Sequence, residues 1–269
     1  MDHFQLADTA PASQAPLVSA YTSLEALLHD AFWAEEGDPV ELPLMEDVLR
    51  EYPGPSLEVG SGSGRLLLPL LERGFDIEGL ELSKDMLDIC RCSAADRALD
   101  PVLYNADMTR FDPGKTYASL LVPAFTLQLA ADPIKTLNHF KKLLRPEGAL
   151  YLSVFIPLAE LHGELPEGQW YDDHRTDLPD GRSATVQTRH HLDRKARILV
   201  REHRYRLLAS DGSIETEHTS EQTIHWFTAG GLRGLLAKTG FHPVHALADF
   251  DPELPVDDEA QIITLVARC

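Results

Sequence analysis

The sequence predicts an α/β fold: a seven-stranded, mostly parallel sheet flanked by helices, with one antiparallel strand at its edge and a small antiparallel β insertion. Three observations carry this. Between residues 56 and 156, short apolar runs alternate with helix-length amphipathic segments, as in successive β-α-β units. Beyond Pro157 the alternation stops and long polar β-rich stretches follow. A helix and two strands then close the chain, which makes the polar β unit an insertion rather than a tail.

The elements follow in order. Residues 1–20 are rich in Ala, Pro, Ser and Gln and read as a lid-like segment. Helical spacing predicts helices over 21–30 and 42–51, the second through Leu44, Val48 and Leu49. "SLEVG" (56–60) reads as a strand and 65–73 as a helix stopped by Gly74. "DIEGLEL" (76–82) is the next strand, 84–97 a helix, and "VLYNAD" (102–107) a short strand. "YASLLVP" (117–123) is a strand ended by proline, and 134–144 a helix. After a turn at "RPEG", "GALYLSVFI" (148–156) is a long buried strand. "ATVQTRHHL", "ARILVREHRYRLLA" and "IETEHTSEQTIHW" are the insertion strands, separated by "LDRK" and "SDGS". "TAGGLRGLLAKTG" returns to helix with Gly240 as its cap, and "FHPVHALADF" and "AQIITLVARC" form a terminal hairpin.

Composition narrows the function classes. The chain has 269 residues and a net charge of −19, from 43 acidic and 24 basic residues, with no basic cluster. Phosphate backbones repel such a surface, so nucleic acid is not an expected partner; solubility is the simplest account of the acidity, and a cationic small-molecule partner is the alternative. There is no apolar run long enough for a membrane span and no secretory signal, so a cytoplasmic protein, monomer or homodimer, is expected. Cys90, Cys92 and Cys269 make neither a disulfide framework nor a zinc signature, and no metal site is expected.

The chemistry centres on "SLEVGSGSGRLLLPLLERG", residues 56–74, where three glycines stand between a strand and a helix. A dinucleotide fingerprint needs G-x-G-x-x-G, but here position 65 is arginine. The phosphate-binding P-loop fails as well, because no Gly-Lys-Ser/Thr follows. Neither phosphate motif fits.

The stretch instead resembles motif I of the class I S-adenosylmethionine-dependent methyltransferases, E/D-x-G-x-G-x-G, with Glu58 at the acidic position. Glycines let the backbone approach the methionine portion of that cofactor, and the adjoining helix start favours its carboxylate. The resemblance implies that Glu58 faces the cofactor's ammonium and that Gly60, Ser61, Gly62, Gly64 and Arg65 line it. "IEGLELSKDML" resembles the end of the family's second strand. There Glu81, 21 residues after Gly60, would take both ribose hydroxyls, with Met86 near the adenine and Leu82 also on the cofactor. "YNADMTRFD" resembles the third motif, with Asp107 on the adenine amino group and Met108 over the ring. In "LLVPAFTLQLAADP", Val122 would border the cofactor and Gln128 matches a polar position of the following loop. The likeness is strong over residues 42–156 and weaker near the C-terminus. It implies a Rossmann-like cofactor domain (42–160 and 227–269), an N-terminal lid segment (1–41), and an insertion over the acceptor site (161–226).

The implied reaction is in-line methyl transfer from S-adenosylmethionine, leaving S-adenosylhomocysteine, with the protein supplying alignment. The fourth strand is followed by "VPAF" rather than the Asn/Asp-Pro-Pro-aromatic motif of enzymes that act on base amines. An N, O or S atom of a small molecule is therefore the expected acceptor. A protein or tRNA acceptor and a non-catalytic cofactor-binding module are the alternatives. Nine of the twelve histidines lie from His162 to His245, and His225 and His191 are the candidate bases. Tyr21, Phe125, Gln128, Trp170 and Trp226 are the candidate acceptor-side residues.

Overall fold

The computed structural model describes residues 18–33, 39–251, 253–257 and 259–269. Most of the 1–20 segment therefore lies outside the described residues.

Seven strands form one sheet. In chain order these are β2 (Ser56–Val59), β3 (Ile77–Glu81), β4 (Leu103–Asn105), β5 (Tyr117–Val122), β6 (Leu144–Phe155), β11 (His242–Ala248) and β12 (Ile262–Arg268). Their order across the sheet is β11-β12-β6-β5-β2-β3-β4. The terminal hairpin is present: β12 runs antiparallel between β6 and β11, and the other neighbours pair parallel. The order reverses between β5 and β2, which opens a crevice at their C-terminal ends.

Helices pack on both faces: α2 (Glu41–Glu51), α3 (Leu67–Glu72), α4 (Lys84–Asp96), α5 (Pro133–Leu143) and α7 (Ala229–Thr239), while α1 (Ser23–Trp33) lies against the second sheet and the short α6 (Leu158–His162) follows β6 (Leu144–Phe155). Their ends follow local chemistry. The Ser83 hydroxyl accepts from the Met86 N–H to cap α4, Asp132 caps α5 ahead of Pro133, and Thr228 caps α7, which stops at the left-handed Gly240. One apolar layer holds β5 and β6 against α5 and α7 through Leu120, Phe140, Leu150, Leu232 and Phe241. The other holds them against α2 and α3 through Met45, Leu67, Leu121 and Tyr151.

Two expectations change here. "RPEG" lies within the continuous strand β6, where the pairing jumps from Tyr117↔Leu144 to Ser119↔Ala149, with Glu147 left-handed at φ 62. The excursion is a bulged strand rather than a separate turn. The helix expected over 65–73 starts only at Leu67, because the glycine turn uses residues up to 66.

The second sheet has the order β1-β10-β9-β8-β7, from β1 (Val18–Ser19), β7 (Tyr171–Asp177), β8 (Ser183–Asp193), β9 (Ile198–Leu208) and β10 (Ile214–His225). Four strands are antiparallel, and β1 adds in parallel through Val18↔Ser220 and Ser19↔Glu221. Strand β7 carries little sequence signal, since "YDDHRTD" is nearly all polar, and most of it is exposed. On the inner face, α1 packs Leu24 and Leu28 on Ala184, Val186 and Leu207.

Candidate functional site

The glycine turn is built by backbone geometry. Gly60, Gly62 and Gly64 have φ of 77°, 55° and 88°, values that side-chain-bearing residues rarely adopt. At Gly60 a Cβ would stand 2.5 Å from the Thr126 hydroxyl. The Leu80 carbonyl accepts from both the Gly60 and Ser61 N–H groups at 2.7 and 3.1 Å, which locks the turn to β3. Met86 lies buried beneath Gly62.

Three acids stand at the C-terminal ends of adjacent strands. Glu58 on β2 is 1 % exposed and its Oε2 has no hydrogen-bond partner. Burial pushes its carboxyl well above the usual range, opposed by Arg65 and reinforced by Glu41 and Glu81. Glu81, ending β3, accepts from the Gly62 N–H at 3.1 Å and the Ser83 N–H at 2.7 Å; burial raises its carboxyl against those bonds. Asp107, past β4, accepts from the Thr109 N–H and hydroxyl at 2.8 and 2.7 Å. Partial burial works to raise it, but the Thr109 bonds and Arg110 hold it below the usual range. Leu82 beside Glu81 is 69 % exposed, and Met108 is half-buried against the core. Val122 is buried at the end of β5. Arg65 reaches from the turn to stack on Trp33, 4.7 Å from its ring centre.

A cleft of about 430 Å³ borders the outer side of the turn at Trp33, Ser63, Arg65 and Arg97. None of the three acids lines it; it shares only Gly64 and Arg65 with the turn's cofactor-side residues.

The second sheet meets the loop after β5 at β10, where the His225 carbonyl accepts from Gln128, and the histidines and tryptophans expected at the site divide between its two faces. Strand periodicity turns His191 outward into solvent, while its neighbour His190 points inward and is buried. His225 is half-buried at the end of β10, and its carbonyl accepts from Gln128 at 3.1 Å. Trp170 lies on the outer face, between the Arg189 and Arg204 guanidinium groups at 4.9 and 4.0 Å. Trp226 is buried in a small apolar cluster with Leu199 and Ile224. Gln128 is fully buried and spends its amide on backbone: it donates to Phe155 and His225 and accepts from the Phe155 N–H. It braces β6 to β10 rather than facing a ligand. Phe125 is left-handed at φ 65 and packs edge-on against Phe155.

Tyr21 is tied by its backbone to the residue that caps α4. Its carbonyl accepts from the Ser83 hydroxyl at 2.5 Å, next to Glu81. Burial pushes its hydroxyl up to about 12, with the Glu25 and Glu81 charges adding. Sequence patterning gave no signal for two buried acids nearby. Glu41 accepts from Ala124 N–H, Tyr151 and Ser153, pinning the loop after β5. Glu25 accepts from Tyr205 at 3.1 Å. In sequence Glu25 reads as a polar position on the first helix, and Glu41 stands just before the helix expected over 42–51. No group of three or more metal-ligating side chains occurs among the described residues, and no helix there is long and apolar enough to cross a membrane.

Comparison with known proteins adds three likenesses of fold. The model of a family described as a methyltransferase domain matches residues 42–246. No curated protein matches the chain. The solved CcbJ methyltransferase of Streptomyces caelestis is 23 % identical, with a TM-score of 0.72 over 93 % of this chain and 98 % of that one. The sugar N-methyltransferase KedS8 of Streptoalloteichus sp. ATCC 53650 is 22 % identical, with a TM-score of 0.65 over 100 % of both chains. The amino pentose methyltransferase CalS10 of Micromonospora echinaspora is 21 % identical, with a TM-score of 0.65 over 90 % and 97 %.

Proposed function

This chain belongs to the methyltransferase-domain family, and from that premise we propose that it moves a methyl group from S-adenosylmethionine to an amine nitrogen of a small molecule. The observation that carries the reading is the row of Glu58, Glu81 and Asp107 along the crevice, beside a turn with no room for side chains. The residues fit the donor. The unpartnered Glu58 Oε2 suits its ammonium, Glu81 its ribose diol, Asp107 its adenine amino group, and exposed Leu82 with Met108 its ring. Gly60, Ser61, Gly62, Gly64 and Arg65 would hold the methionine portion, with Met86 and Val122 behind.

When bound, S-adenosylmethionine supplies an already activated methyl group. The protein's own work is then to hold the acceptor in line, exclude water and let one acceptor proton leave. We assign 42–160 and 227–269 to the cofactor unit, 161–226 to the cover on the acceptor side, and 1–41 to a lid. Tyr21 and Phe125 are the acceptor-side residues we retain.

Two observations favour nitrogen. Beside Tyr205, on the inner face of the second sheet, the buried Glu25 keeps one carboxyl oxygen without a hydrogen-bond partner, while the nearby cation Arg201 is spent on Glu160 through bonds from Nε and a second guanidinium nitrogen. Such a surface suits an amine, and KedS8 and CalS10 are by description a sugar N-methyltransferase and an amino pentose methyltransferase. A transfer assay over small amines, phenols and thiols, with protein and tRNA as further acceptors, tests this. Labelling of amino sugars or related amines is expected; labelling confined to phenols, thiols, protein or tRNA would overturn it.

A further inference from the structure

The first helix carries a buried carboxyl that the fold leaves half-used. Glu25 is 2 % exposed; its Oε1 accepts from the Tyr205 hydroxyl of β9 at 3.1 Å, and its Oε2 has no hydrogen-bond partner. Ser220 faces the same way on β10, two residues from His218 opposite Tyr205, and its hydroxyl is likewise buried and unpartnered. The cations of this region are engaged elsewhere. His29, one turn along α1, gives its Nδ1–H to Asp30 at 2.9 Å, and Arg201 binds Glu160. A buried carboxylate with one bare oxygen and no cation is costly to keep.

Glu25 also stands where the cofactor-side elements meet the second sheet, because α1 is fastened to those elements on both sides of it. Before it, the Tyr21 carbonyl accepts from the Ser83 hydroxyl at 2.5 Å and the Ser23 N–H donates to Asp85 at 2.7 Å. After it, Asp30 accepts from the Ser63 hydroxyl, inside the glycine turn, at 2.5 Å. Another side of α1 packs on the second sheet through Leu24, Leu28 and Phe32. The other titratable groups here do not balance the acid. Burial pushes Tyr21, one turn back on α1, up to about 12 and raises Tyr205 as well. It pulls His203 down to about 4 and lowers His218, the two imidazoles that flank the Tyr205 ring.

We propose that Glu25 is the residue that binds the acceptor's amine, its free Oε2 taking an N–H of the nitrogen that receives the methyl group. The proposal rests on the amine-methylating reading of the site and supplies its selectivity. An amine arriving as the ammonium ion pairs with the carboxylate and passes one N–H proton to Oε2. It then attacks the methyl carbon with the lone pair so freed; the N–C bond forms as the C–S bond breaks, its electron pair returning to sulfur. The products are S-adenosylhomocysteine, an N-methylammonium ion and a protonated Glu25. Burial raises the Glu25 carboxyl, so it takes up that proton more readily than a solvated carboxylate. A neutral phenol or thiol would leave the buried charge unbalanced.

The test is Glu25→Gln, which keeps an oxygen for Tyr205 and removes the charge. With the best amine of the acceptor screen at saturating S-adenosylmethionine, E25Q is expected to lose about tenfold to a hundredfold in kcat/KM, with unchanged affinity for S-adenosylhomocysteine. Its thermal midpoint is expected to match or exceed that of the wild type, since an unpaired buried carboxyl is gone. The pH profile separates charge from shape. Wild-type kcat/KM should fall as the pH drops through the raised carboxyl value, E25Q should lose that limb, and Glu25→Asp should keep it. Wild-type kcat/KM in E25Q, with the wild type active on amines, overturns the assignment of Glu25 and leaves the amine reading standing. A lowered midpoint with equal losses in kcat/KM and in S-adenosylhomocysteine affinity identifies a brace between α1 and the sheet, and overturns it too. Absence of transfer by the wild type to any amine overturns the amine reading, and this assignment with it.

Discussion

Gly64 stands so close to Cys90 that a Cβ on the glycine would lie 2.7 Å from the cysteine sulfur, and 2.8 Å from the Leu68 side chain. The third glycine of the turn is thus required twice, by its φ of 88° and by the thiol packed beneath it.

Gly64→Ala is therefore expected to destabilise the fold by about 2–4 kcal/mol, about 1 from the backbone and the rest from overpacking. Adding Cys90→Ala should recover part of the overpacking loss and none of the backbone loss. Thermal unfolding of the single and double variants checks this; equal midpoints for the two would contradict the contact.

The raised carboxyl of Glu58 predicts a pH dependence. In the protein alone, the folded state keeps this proton after the unfolded chain has lost it. Stability from this group therefore falls as pH rises from the usual carboxylate range through the raised value. A cationic ligand favours the ionised form, so binding should release up to about one proton and tighten with rising pH across the same window. Calorimetric titration with S-adenosylhomocysteine in buffers of different ionisation heat reads the release. Glu58→Gln should abolish it, and a wild-type affinity independent of pH would count against the assignment.

Gln128 makes three bonds from a fully buried amide, linking the loop after β5 to the ends of β6 and β10. Gln128→Leu leaves buried backbone groups unpaired and should cost about 2–4 kcal/mol. Amide hydrogen exchange should quicken around Phe155 and His225. Reduced turnover at unchanged stability and exchange would point instead to ligand contact.

Much of this was legible in the sequence. Glycine spacing and acids at strand ends are local signals, so Glu58, Glu81 and Asp107 fell where a β-α-β pattern puts them. The acceptor side was not legible in the same way. Whether a strand residue faces in or out depends on register, and a bulge in β7 helps set which side chains meet across the second sheet. Alternation alone does not say that His190 and His203 face in while His191 and Trp170 face out. Glu25 and Glu41 were hidden because their partners, Tyr205, Tyr151 and Ser153, lie more than a hundred residues away.

The most direct test of the central claim is calorimetric titration with S-adenosylmethionine of the wild type and of Glu81→Ala. The account predicts saturable binding by the wild type and an affinity about tenfold to a hundredfold weaker in the variant, with its fold retained by circular dichroism. No binding by the wild type, or equal affinity in Glu81→Ala, would contradict it.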